Sequence, residues 1–188
     1  MAPPGRSRDD IGWHVVNEMA QSLPKPALRP FLPDDTPMLA AIFIAAIEEL
    51  TGDDYSEAQQ QAWAASAADE DAFGQRLAGE LTLIATIKNS PVGFAALRGK
   101  DHIDMLYVHP GVVGQGVGTM LCDALEKLAG GRGAASLTAD VSDNAEEFFK
   151  KRGYVARRRN TMTVNGEWLA NTTMQKALAN GTTAGAAT

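Results

Sequence analysis

Apolar and polar positions along this chain group into runs with strand or helix character, set apart by Gly, Pro, Asn and Asp. "ALRPFL" (27–32) predicts a short first strand. The apolar "TPMLAAIFIAAIEEL" (36–50) predicts a helix, capped by Asp34 or Asp35 and ended by Thr51-Gly52. Ser56 with Gln59 forms a capping box for a second helix in "SEAQQQAWAA", and "DEDAFGQRLAG" predicts a third. "LTLIATI", "VGFAALR" and "HIDMLYV", joined by "KNSPV" and "GKD", predict an antiparallel meander. A glycine run then opens a helix ending near Leu128. A "GGRG" loop, the strand "ASLTAD" and the short helix "NAEEFFKKR", stopped by Gly153, come next. Two last strands flank Asn165-Gly166, a dipeptide that favours a tight hairpin turn. The order predicts an α/β fold around a mixed sheet, with no internal repeat.

The ends differ from this middle. Residues 1–26 read as a flexible extension, with Trp13, Val15, Val16 and Met19 as the makings of a short docking helix. Residues 178–188 read as a flexible tail. That leaves 27–177 as one domain, long enough to bury a core. The net charge of −6 gives no reason to expect a nucleic-acid partner. The basic run "KKRGYVARRR" (150–159) reads as a solvated strand edge. There is no run of 18 apolar residues and no signal-peptide core, so no membrane partner is expected. The lone cysteine, Cys122, sits in a helical apolar pattern and reads as a packed core thiol. A reducing, cytoplasmic setting is the expectation. The histidines (His14, His102, His109) and Cys122 show no metal-ligand spacing.

The densest chemistry lies in "HIDMLYVHPGVVGQGVGTMLCDALEKL" (102–128). Gly114, Gly116 and Gly118 stand where a strand gives way to a helix, whose first N–H groups and dipole attract phosphate. By itself the run is equally a turn or an anion site. It lacks the G-x-G-x-x-G dinucleotide fingerprint and the G-K-[ST] ending of a triphosphate loop.

Together, "LYVHP", "GQGVGTMLCDALEKLA" and, further on, "NAEEFFKKRGY" resemble the GNAT superfamily of acyl-CoA-dependent N-acetyltransferases over about residues 27–177. "DYS..Q..AW", "HIDMLYVHP" and "NGEWLANTTM" resemble a bacterial branch of it. The resemblance implies the GNAT fold, a mostly antiparallel sheet of about seven strands with helices on both faces. It implies acetyl-CoA as cosubstrate, a primary amine of a small molecule or peptide as acceptor, and no metal. Dimers are common in the family, so a homodimer is an open expectation. The family's loop Q/R-x-x-G-x-G/A falls on residues 113–118, with Val113 in place of the polar first residue. By resemblance Gly114, Gln115, Gly116, Val117, Gly118 and Thr119 hold the pyrophosphate. The backbone of Leu106, Tyr107 and Val108 pairs with pantetheine where the strand splays from its neighbour. Asn144, Phe148 and Phe149 complete the cofactor side.

The family's usual acid, a tyrosine in a "FY" pair, is replaced by Phe149. Tyr107 and Tyr154 are the remaining nearby phenols. An alkyl thiolate is a fair leaving group even unprotonated. Strand alternation puts His102, Asp104 and Leu106 on one face, so His102 and Asp104 are the candidate bases for the amine. The opposing reading pairs Asp104 with an arginine and leaves His102 at the surface. If both fail as bases, Asp140 is next. His109 reads as structural. Tyr55 and Trp63, with Trp168 on the last hairpin, are candidates to line the acceptor site. Two rivals stay open: a catalytically weak acyl-CoA-binding protein, suggested by Phe149 and Val113, and a nucleotide-binding regulatory domain.

Overall fold

The computed structural model describes residues 25–178. The expected docking helix near Trp13 and the tail from residue 179 lie outside the described residues. Seven strands form one sheet: β1 (Ala27–Pro30), β2 (Leu81–Ile87), β3 (Ser90–Arg98), β4 (His102–Val108), β5 (Ser136–Val141), β6 (Val155–Val164) and β7 (Glu167–Ala177). Their spatial order is β1-β2-β3-β4-β5-β7-β6. All neighbours are antiparallel except β4 and β5. Among the described residues five α-helices cover the sheet: α1 (Thr36–Leu50), α2 (Glu57–Ala64), α3 (Glu70–Gly79), α4 (Val117–Gly131) and α5 (Glu146–Lys151). No helix among the described residues is long and apolar enough to cross a membrane.

Helical periodicity decides what each face buries. Leu39, Ile42, Phe43, Ala46 and Ile47 of α1 repeat at three- and four-residue spacing and are buried, with Phe73 and Leu77 of α3, on Ile84, Phe94, Ala96 and Met105 of the sheet. On the other face Val117, Leu121, Cys122, Leu125 and Ala129 of α4 pack on Ala85, Ala95, Leu97, Ile103 and Leu137. Cys122 is thus a buried core thiol, and burial pushes its pKa up to about 11.

The turn chemistry follows the sequence closely. The Gln59 N–H donates to Ser56 Oγ and the Ser56 N–H to Gln59 Oε1, completing the capping box. Lys88-Asn89 and Asn165-Gly166 all have positive φ, as tight hairpin turns with the twist of their strands require. Because the first turn is that tight, β3 starts at Ser90 rather than Val92. Asp35 corrects the expected cap: its carboxylate accepts two hydrogen bonds from the Arg29 guanidinium and one from the Leu32 N–H, and it accepts none from the first N–H groups of α1. The basic run lies around edge strand β6, and several of its cations are paired within the chain: Lys150 with Glu146, Arg152 with Asp123 and Glu126, and Arg159 with Asp143.

Two irregularities shape β4. The register with β3 runs Ala96↔Met105 and then Leu97↔Ile103, so Asp104 is an extra residue in a bulge. The expected common face of His102, Asp104 and Leu106 therefore does not hold. His102, Asp104, Met105 and Tyr107 turn toward α1–α3, while Ile103, Leu106 and Val108 turn toward α4. The second irregularity is the parallel pairing of β4 with β5. It consists of His102↔Thr138 and Ile103↔Ala139 alone, after which the strands part.

Gly93 on β3 lets α4 sit close to the sheet. A Cβ there would meet the Tyr107 carbonyl oxygen at 2.9 Å and Val117 Cγ1 at 3.1 Å. Gly93→Ala should therefore lower stability by about 1–3 kcal/mol, the usual cost of overpacking. Chemical denaturation measures this, and an unchanged midpoint would show that α4 is not seated so tightly.

Candidate active site

Where β4 and β5 part, a cleft of about 340 Å³ opens. Its floor is built from Leu106, Ala139, Val141 and Phe149, and its walls carry Phe43, Tyr55, Trp63 and Tyr107. His102, Asp104, Arg76 and Arg98 stand on one side and Asp140 on the other. From Asp104 to Val108 the β5-facing edge of β4 has no strand partner among the described residues.

Beyond that edge the chain makes a short turn (Pro110–Val112), held by Gly111 N–H donating to His109 Nδ1. His109 is structural, as expected. Gly114 and Gly116 follow with φ of 81° and 83°, a region open to glycine, and a Cβ on either would project into open space. The backbone N–H groups of Gly114, Gly116, Val117, Gly118 and Thr119 find no acceptor among the described residues. Five donors pointing out at a helix start make an anion cradle. Gly118 lies beside Phe148 and Val108, so the loop, the end of β4 and α5 meet at one place. An acyl-CoA fits this surface: a diphosphate on the cradle and an extended amide chain along the free edge of β4.

The comparisons with known proteins agree. Residues 51–178 match the acetyltransferase (GNAT) domain family. The chain belongs to that family. It is 33% identical over 144 residues to the uncharacterized N-acetyltransferase YafP of Escherichia coli K12, covering 77% of this chain and 91% of that one. It also resembles the crystal structure of a GCN5-related N-acetyltransferase, "Aminotransferase, Class-II", from Rhodopseudomonas palustris. That likeness has a TM-score of 0.82 and 66% identity, over 84% of this chain and 99% of the other. The PaiA N-acetyltransferase of Thermoplasma acidophilum, solved in complex with coenzyme A, shares the fold at 16% identity and a TM-score of 0.67, over 81% and 99% of the two chains.

In this GNAT domain the charged groups are arranged more tightly than the sequence suggested. Asp104 is the centre of a clamp: Arg76 Nε and Nη2 donate to its Oδ2 at 3.0 and 2.5 Å, and Arg98 Nη1 to its Oδ1 at 2.7 Å. Its side chain is 5% exposed. Both oxygens are occupied, which favours a structural role over that of a free base. Glu80, just after α3, is the residue the sequence reading missed. Burial and the neighbouring Asp104 raise its pKa to about 7, against the opposing pull of Arg76 and Arg98, and its Oε2 is buried with no partner. Nothing local in "AGELT" announces this, because the contact crosses from a loop to a strand far along the chain.

His102 is the freer group. Its Nδ1 lies 3.0 Å from Thr138 Oγ1, and that hydroxyl donates its only proton to the Asp101 carbonyl. Thr138 must then accept from an Nδ1–H, which leaves the Nε2 lone pair free. Burial, helped by the Arg98 guanidinium, lowers the imidazole pKa from its ordinary value and so favours the neutral ring.

Tyr55 and Trp63 both line the cleft, edge to face at 5.4 Å. The Tyr55 hydroxyl is already engaged: it donates to the Ala170 carbonyl and accepts from the Asp143 N–H, pinning β7 to the turn after β5. Trp168 is 65% exposed and lies outside the cleft, a correction that follows from strand alternation, since its neighbour Leu169 is the one that faces the cleft. Phe149 is buried in the cleft floor, and Tyr154 is sealed beneath it against Cys122. Tyr107 is therefore the remaining phenol in contact with the cleft besides Tyr55, and burial raises its pKa. Asn144 accepts from the Ser142 hydroxyl and does not line the cleft.

Glu80 yields a stability prediction. Its pKa is raised from 4.5, so folding takes up a proton between about 4.5 and 7. The stability it confers is complete below 4.5 and is lost as pH rises through about 7. Glu80→Gln should leave Tm unchanged near pH 4.5 and raise it by about 2–5 °C at pH 8, a change of about 1 kcal/mol. An equal effect at both pH values would place Glu80 in solvent rather than against Asp104.

Proposed function

We propose that the protein transfers the acetyl group of acetyl-CoA to a primary amine by direct attack of the amine on the thioester. The observation that carries this is the parting of β4 and β5 beside five N–H groups without an acceptor among the described residues, a slot next to an anion cradle. On this reading Gly114, Gln115, Gly116, Val117, Gly118 and Thr119 hold the pyrophosphate. The free edge of Leu106, Tyr107 and Val108 holds the pantetheine amides and aims an N–H at the thioester carbonyl, where it stabilises the tetrahedral oxyanion. Phe148 and Phe149 give the acyl arm an apolar bed, and Asn144, in the turn before α5, stands on the cofactor side outside the cleft. Tyr55 and Trp63 shape the acceptor pocket.

The amine must lose a proton before or during attack. His102 takes it on Nε2, directly or through water, because its Nδ1–H is held by Thr138 and its pKa is lowered. Asp104 acts with it as a positioning residue, fixing Arg98 and so the charge beside the imidazole. The thiolate leaves without a dedicated acid, since Phe149 occupies the family's tyrosine position. A catalytically weak acyl-CoA binder is the second reading, and the same buried Phe149 is what favours it. Acceptor-dependent thiol release distinguishes the two, because a binder shows none.

Gly116→Val places a branched side chain at a φ of 83°, where it costs about 1–2 kcal/mol of stability. It should also weaken CoA binding more than tenfold, an effect of about 1.4 kcal/mol or more in calorimetry. Gly118→Ala, whose Cβ meets Phe148 at an ordinary 3.6 Å, should retain binding. Unchanged affinity in folded Gly116→Val would remove the cradle from the account.

His102→Ala should lower kcat/KM by about a hundredfold and abolish the acidic limb of the pH–rate profile, which the lowered imidazole pKa sets. The limb set by the amine's own ionisation should remain. Asp104→Asn should cost less and keep the histidine limb. The reverse order of effects would make Asp104 the base.

A further inference from the structure

The cleft carries its charges in two separated groups of opposite sign. On the α3–β3 side stand Arg76 and Arg98, with Asp104 between them. On the β5 side stands Asp140, exposed, with Oδ1 accepting from the Thr173 hydroxyl and no cation paired to it among the described residues. Asp104 has both oxygens filled by guanidinium, so it offers nothing to an incoming ammonium. The arginines are only partly used. Arg98 gives Asp104 a single nitrogen, Nη1, and its Nε and Nη2 have no acceptor among the described residues. Arg76 likewise leaves Nη1 free. A guanidinium fork with open N–H groups is suited to a carboxylate, which it binds through paired bonds.

The spacing fits a single small ligand. Arg98, His102 and Thr138 are register partners in one row across β3, β4 and β5, and Asp140 lies two residues beyond Thr138 on the same face. Strand spacing and rise put the Arg98 and Asp140 backbones about 12 Å apart. An arginine reaching in from one side and an aspartate from the other narrow this to the separation of neighbouring charges on one small molecule. His102, the β4 member of that row, lies between them. The remaining wall is apolar and aromatic: Phe43, Tyr55, Trp63, Tyr107, Met162 and Leu169.

We propose that the acceptor is an α-amino acid with an apolar or aromatic side chain. Its carboxylate rests on Arg98 and Arg76, its amine faces Asp140 and His102, and its side chain lies on the aromatic wall. This rests on the acetyltransferase reading above and deepens it. In the reaction the neutral amine nitrogen forms a bond to the thioester carbonyl carbon and the carbon–sulfur bond breaks. The thiolate departs with the electron pair, the nitrogen's proton passes to His102, and an N-acetyl amino acid and CoA result. A polyamine fits the same cleft poorly, because its second ammonium would face the two guanidinium groups.

The test is thiol release from acetyl-CoA by the full chain with matched acceptors: phenylalanine against phenethylamine, leucine against 3-methylbutylamine, and spermidine. The amino acids should exceed their decarboxylated partners in kcat/KM by about tenfold or more, the worth of one paired charge contact. In Arg98→Met, or in Arg76→Met if the first variant fails to fold, that preference should collapse toward one. Faster turnover of the decarboxylated amines or of spermidine overturns the proposal while leaving the acetyltransferase intact. A preference unaffected by either arginine variant also overturns it. No thiol release with any amine, in protein that binds CoA, overturns both this proposal and the reading beneath it.

Discussion

Two residue pairs join β4 to β5, and the rest of the molecule is arranged around the parting that follows them. Had the parallel ladder continued, the β4 edge would be consumed and Ala139 to Ser142 would close over Leu106 and Tyr107. Because it stops at Ile103, backbone donors and acceptors that a folded chain would ordinarily pair are left facing a cleft. Such groups are costly to bury unpaired, so an open edge of this kind persists where water or a ligand amide can replace the missing strand. The antiparallel partners β3 and β7 hold the two sides rigidly, which lets the gap remain open without loosening the sheet.

The bulge at Asp104 is the second organising feature. By adding one residue it keeps His102 and Asp104 on the α1–α3 side and turns Leu106 toward α4. The strand thus serves polar chemistry at one end and an apolar acyl channel at the other. Asp104 in the bulge is held from α3 and from β3 at once, so the helix that covers the acceptor side is tied electrostatically to the strand that carries the base. Glu80, beside that clamp, makes the tie sensitive to pH near neutrality.

Much of the fold could be read from the sequence because its signals were local. The Ser56–Gln59 box, the Asn165-Gly166 turn, the Gly153 stop and the glycine run before α4 each depend on residues within one turn of chain. What could not be read was non-local. Strand alternation failed at Asp104 because a bulge depends on how two strands twist together, which "HIDMLYV" does not encode. Asp35 looked like a helix cap because Arg29, which claims its carboxylate, belongs to another element. Trp168 looked like a pocket residue because which face of β7 meets the cleft, that of Leu169 or that of Trp168, is set by pairing with β6 rather than by the local sequence. Within the site, the positions of His102, Tyr55 and Trp63 on one cleft were anticipated. The clamp by Arg76 and Arg98 and the contact with Glu80 were not, since each joins residues distant in sequence.

The account turns on a gap that accepts an extended ligand along β4 and a diphosphate on the loop before α4. Backbone hydrogen exchange with and without acetyl-CoA tests this at the residues concerned. Protection on binding is expected to concentrate at the amides of Leu106–Val108 and Gly114–Thr119, with the edge strand β6 unchanged. Tight binding that leaves those two segments exchanging as before, and protects another part of the sheet, would contradict it.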